Sequence, residues 1–115
     1  MQDLRELDDR SAPDVSVKKK ICRFCESPAE VVITRTAERD SALLGITKLG
    51  ILEGVLCHIQ GARTVYADFM DNRDLAFILK DCAVEQTALY VKLKFSQSKE
   101  RELMVIISSH PDRRW

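Results

Sequence analysis

The sequence predicts an α+β domain, with N-terminal helices packed on a small antiparallel β-sheet. Three observations carry this reading. Apolar residues recur at spacings of three and four as far as Gly61, they alternate with a period of two beyond it, and short polar turns join the alternating segments. At 115 residues the chain has room for one domain with one modest core.

Residues 1–13 are rich in charge (Asp3, Arg5, Glu6, Asp8, Asp9, Arg10), hold two leucines and end at Pro13. They are expected to form a flexible N-terminal tail, leaving 14–115 as the folded domain. Asp14 is a candidate N-cap for a helix whose inner side is Val17, Ile21, Phe24 and Cys25, ended before Pro28. Thr34 or Thr36 can cap a second helix, with Ala37, Leu43 and Leu44 inward and Gly45 at its stop. Thr47 caps a third, with Leu49, Leu52, Val55, Leu56 and Ile59 as the apolar stripe and Gly61 at the end.

Strands are predicted over 64–70, 76–84, 88–95 and 101–109, with SQSKE as the last turn. In 88–95, Leu89, Val91, Leu93 and Phe95 share one face, and Tyr90, Lys92 and Lys94 the other. A hairpin centred near Ser98 pairs Leu93 with Leu103, Val91 with Val105 and Leu89 with Ile107. The opposite face then carries Tyr90, Lys92, Lys94, Ser108 and His110. Alternation along the middle strand adds Lys80 and Cys82.

Such a face suits cleavage of RNA through its own 2′-hydroxyl. That reaction needs a base for the hydroxyl proton, an acid for the leaving 5′-oxygen and cations for the charge building on phosphorus. Imidazole suits acid or base duty near neutrality. Lys80, Lys92 and Lys94 could hold phosphate, and Tyr90 could stack on a base or share a proton. The candidate catalytic residues are Tyr90, His110 and Lys80, and the candidate RNA-binding ones Lys92, Lys94 and Arg113. Lysine plus arginine equals aspartate plus glutamate at 18 each, so the chain is not a strongly basic nucleic-acid binder, and RNA would need a local positive patch. No apolar run reaches a membrane span, and MQDLRELDDR is too polar for a signal peptide, so a cytoplasmic location is expected.

The order SALLGITKLGILEGVLCHIQG, VYADFM, ILKDCAV, LYVKLKF and VIISSHPD resembles the motility quorum-sensing regulator family of bacterial mRNA-cleaving toxins, over roughly Val17 to Pro111. The resemblance implies a RelE-like two-layer fold with the site on the open face of the sheet. It also implies an mRNA substrate, a cognate antitoxin as protein partner with room for a homodimer, no membrane and no cofactor. The family's tyrosine falls on Tyr90, its lysine after the final strand on His110, its middle-strand glutamine on Lys80 and its first-strand lysine on Ala67. Only the tyrosine is retained, and the alanine is a gap in the pattern.

Cys22-Arg-Phe-Cys25 is half of a zinc site. The other half would have to come from Cys57 with His58, or from Cys82. Adjacent Cys57 and His58 are poorly placed as two ligands, and Cys25 falls on the apolar side of its helix, so no metal ligands are assigned. A small zinc-binding adaptor and a non-catalytic interaction module of the same fold are the alternatives to the nuclease.

Overall fold

The computed structural model describes residues 4–69 and 74–112. In chain order these form β1 (Arg5–Glu6), α1 (Ala12–Cys25), β2 (Val31–Ile33), α2 (Arg35–Ala42), α3 (Lys48–Gln60), β3 (Tyr66–Phe69), β4 (Leu75–Val84), β5 (Thr87–Ser98) and β6 (Arg101–Pro111). The strands make one open sheet in the order β1-β3-β4-β5-β6-β2, antiparallel except where β2 runs parallel to β6. The expected α+β class holds. Among the described residues, no helix is long and apolar enough to cross a membrane.

Helix ends follow local chemistry. Thr34 and Thr47 each accept a backbone N–H, from Ala37 and Gly50, at the starts of α2 and α3. The first helix is capped by Ser11 rather than Asp14. Asp14 stands three residues on, where it binds Arg5 at 2.8 Å and accepts the N–H of Asp8. The α2 helix stops at Ala42, leaving Leu43 at 80% exposure and Leu44 at 41% instead of inward. On α3 the buried side is Ile51, Leu52, Val55 and His58, while Leu49 faces out.

Of the expected tail, the described residues 4–13 are laid onto the domain. Residues 5–6 pair with β3, and Leu7, 6% exposed, joins the core. Two ion pairs, Arg5–Asp14 and Lys18–Asp9, tie this segment to α1. A charge-rich stretch with one well-placed leucine thus closes the exposed edge of β3.

All three helices lie on one face of the sheet. Core residues from α1 (Ile21, Phe24, Cys25) and α3 (Ile51, Leu52, Val55) meet Phe77, Leu79, Leu89, Val91, Leu93, Met104 and Ile106. The inward set of β5 is as the alternation predicts. The hairpin register is not. Ser98 pairs with Arg101 across a tight turn, Leu93 faces Ile106 and Val91 faces Ser109. Lys99 takes φ +53° in that turn, and Glu85 and Gln86 both take positive φ in the preceding hairpin, as two-residue turns require.

Two β-bulges decide which side chains face outward. In β6, Leu93 pairs with Ile106 but Lys92 with Ser108, so Ile107 is an extra residue. Met104 and Ile106 point inward before it and Ser109 after it, which turns Ser108 and His110 to the open face. Val105, expected inward, stands in the open-face row with Lys94. In β4, Lys80 and Asp81 together oppose Tyr90, and Asp81 takes φ +54°. That bulge changes the parity of β4, so Cys82, expected beside Lys80, is fully buried in the core.

Candidate active site on the open face

Tyr90 and His110 are direct cross-strand partners. Their rings stack with centroids 5.0 Å apart and planes 11° apart. The expectation placed both on one surface separated by Ser108; the turn between Ser98 and Arg101, together with the β6 bulge, brings them into contact. The Nδ1–H of His110 donates to the carbonyl oxygen of Pro111 at 3.1 Å, so Nε2 is the ring nitrogen left for another partner. Burial, with the nearby carboxylates of Asp68 and Asp112, raises the Tyr90 phenol above its ordinary range, so it stays protonated and can donate a hydrogen bond.

The strand end is pinned around this pair. The backbone N–H of Asp112 donates to Ala88 O at 2.9 Å, and its carboxylate accepts the N–H of Asp81 at 2.6 Å. On the inner side, the Ser109 hydroxyl donates to Ala37 O at 2.9 Å. His110 therefore sits on a strand held from both faces.

Lys80 is exposed, and its ammonium lies 4.7 Å from the centroid of the Tyr66 ring. Lys92 and Lys94 are on the same face, as expected, but each has a carboxylate partner. Lys92 binds Asp68 at 3.3 Å and Lys94 binds Asp74 at 3.1 Å. Asp68 is only 3% exposed, so its charge is held inside the sheet surface by Lys92. The expected contributor Arg113 lies outside the described residues.

Ala67, where the resemblance places a lysine, faces the helices and belongs to the core. Its neighbours Tyr66 and Asp68 occupy the open face in that strand. These two, with Asp112, are site residues the sequence reading missed. Period-two alternation around an inward Ala67 is the signal that could have found Tyr66 and Asp68.

The cysteines lie elsewhere. Cys25 and Cys82 are buried, and loss of solvent pushes both thiols up to about 12. Among the described residues, no group of three His, Cys, Asp or Glu side chains is arranged to hold a metal ion.

The site is thus a solvent-facing imidazole stacked on a protonated phenol, with one exposed lysine one strand away and two further lysines tied to carboxylates. No family model, curated protein or solved structure matches the chain.

Proposed function

We propose that this chain is a toxin-type endoribonuclease of the RelE-like kind, similar to the motility quorum-sensing regulator family, which cleaves mRNA without a metal and is held in check by a cognate antitoxin. The observation that carries the reading is the Tyr90–His110 stack on the open face, with Nε2 of His110 left as the basic atom. In this reading Nε2 takes the proton of a ribose 2′-hydroxyl, and the 2′-oxygen bonds to the adjacent phosphorus. The bond from phosphorus to the 5′-oxygen breaks, leaving a 2′,3′-cyclic phosphate, and the 5′-oxygen takes a proton from an acid. Tyr90 donates a hydrogen bond to the phosphoryl oxygens, and Lys80 supplies positive charge there.

The test is RNA cleavage by purified protein, with growth and transcript ends followed on induced expression. Cyclic-phosphate ends from the wild type, and their loss in His110→Ala, are expected. Intact RNA and normal growth would overturn the reading.

One observation favours a second reading, a non-catalytic interaction module. Asp68 and Asp74 neutralise the two lysines expected to hold the RNA backbone. The same assay separates the two.

A further inference from the structure

Beside the stack lies a cavity of which the cleavage chemistry uses only Lys80. It has a volume of about 320 Å³ and is lined by His58, Arg63, Thr64, Tyr66, Lys80 and Asp81. The β4 bulge links the two places: Lys80 and Asp81, which form one wall, are the residues that oppose Tyr90. The cavity therefore begins one strand spacing from Tyr90 and two, about 10 Å, from the strand of His110.

Its walls have two kinds of chemistry. Tyr66 offers an aromatic ring, part-exposed on the open face, with the Lys80 ammonium lying over it, 4.7 Å from its centroid. Arg63 adds a second cation, whose guanidinium is 3.3 Å from the Asp81 carboxylate. Two cationic side chains against one carboxylate suit a single phosphodiester charge. An aromatic platform beside them suits a flat base. The floor is rigid, because His58, 4% exposed, donates its Nε2–H to Thr64 O at 2.9 Å and fixes the turn that carries Arg63 and Thr64.

We propose that this cavity is a subsite for one unpaired nucleotide of a single-stranded RNA, whose phosphodiester draws Lys80 off the Tyr66 ring toward Arg63 and whose base takes the ring face that Lys80 leaves. The inference rests on the RNA-cleavage reading and names where the strand beside the scissile bond is held. Stacking makes the subsite tolerant of base identity, and it requires a strand that is not paired.

The experiment uses the full chain and a short single-stranded RNA with 2′-O-methyl riboses, which binds but lacks the attacking hydroxyl. Backbone amide signals of Arg63, Thr64, Tyr66 and Lys80 should shift on titration. Tyr66→Leu should weaken binding roughly tenfold while Tyr66→Phe does not. Arg63→Gln should lower the dependence of log affinity on log salt by about one unit. Full affinity in Tyr66→Leu, binding that leaves those signals unmoved, no binding at all, or adenosine monophosphate binding as tightly as the RNA would each overturn the subsite. Cleavage of unmodified RNA under any of those outcomes would leave the nuclease reading standing alone. RNA seated in the cavity without cleavage would keep the subsite and remove the nuclease.

Discussion

The hydroxyl of Ser109 donates to the main-chain carbonyl of Ala37 at 2.9 Å, so the last buried side chain of β6 is fastened to the first turn of α2. Ser109 is fully buried and immediately precedes His110. Ser109→Ala removes that donor and should cost about 1 kcal/mol of stability by urea unfolding. It should also loosen the end of β6, seen as faster amide hydrogen exchange at His110 and Asp112 than in β5. Unchanged exchange would show that the bond does not position the histidine.

The N-terminal segment carries weight in the core. Leu7→Ala should destabilise the domain by about 2–4 kcal/mol, because it empties a buried site under the edge strand. Thermal melts of this variant beside Glu6→Ala, an exposed neighbour, make the comparison. A melt like the wild type's would mean that the segment does behave as a tail.

On the open face, His110→Ala should lower RNA cleavage on the order of 10²–10⁴-fold with a nearly unchanged melt, since the ring packs on Tyr90 above the sheet. Ile106→Asp, fully buried on the helix side, should unfold the domain. Val105→Asp should be far milder than Ile106→Asp, because Val105 stands in the outer row with Lys94. Cleavage rates and melts of the three variants check the assignment of faces. Full cleavage by His110→Ala would make the histidine a bystander.

Acid sensitivity has two origins. Burial holds the His58 imidazole below its ordinary 6.5, and its Nδ1 is buried without a partner among the described residues. The unfolded chain takes a proton near pH 6.5 and the folded chain does not, so unfolding binds protons in that window. Stability is full above 6.5 and falls as pH drops toward the folded value. Asp14 acts at lower pH. Hydrogen bonds from Arg5 and from the Asp8 backbone hold its carboxyl below the usual 3.8, so its contribution is lost as pH falls through the acid range below about 4. Urea midpoints between pH 7.5 and 5 should fall for the wild type and flatten in His58→Gln. Parallel curves would assign the dependence to other groups.

At Gly54, α3 packs closely on the end of β4. A Cβ built there would lie 2.5 Å from Val84 Cγ2 and 2.8 Å from the carbonyl oxygen of Ala83. Alanine normally favours a helix over glycine by about 1 kcal/mol, but the second contact is backbone and cannot swing away. Gly54→Ala should therefore be net destabilising, by roughly 1–2 kcal/mol after the propensity gain. A rise in melting temperature would show that α3 can lift from β4 without cost.

The order of elements was legible because its signals are local. Thr34 and Thr47 cap the helices as the sequence suggests, and Leu89, Val91 and Leu93 alternate without interruption. Strand register was not legible, because the β5–β6 turn falls between Ser98 and Arg101 instead of at Ser98, and because two extra residues, one in β4 and one in β6, change the alternation part-way along strands that read as regular. Lys80 and Cys82 share a parity in the sequence and lie on opposite faces in the fold. The three-residue β2 was too short to leave a periodic trace, and β1 was hidden among charges. Tyr90 and His110 were both placed on the right surface. Their direct contact depended on the turn together with the bulge and could not be read from spacing.

The extra residue at Ile107 makes the outward histidine a matter of counting as much as of chemistry. A related strand lacking it would need its reactive side chain one position earlier to present the same surface. Matched letter for letter, such a strand would set its outward residue against Ser109, and two equivalent surfaces would look unrelated. Proteins of this architecture are therefore better compared by the cross-strand partner of the tyrosine than by the letter at a fixed distance from the chain end.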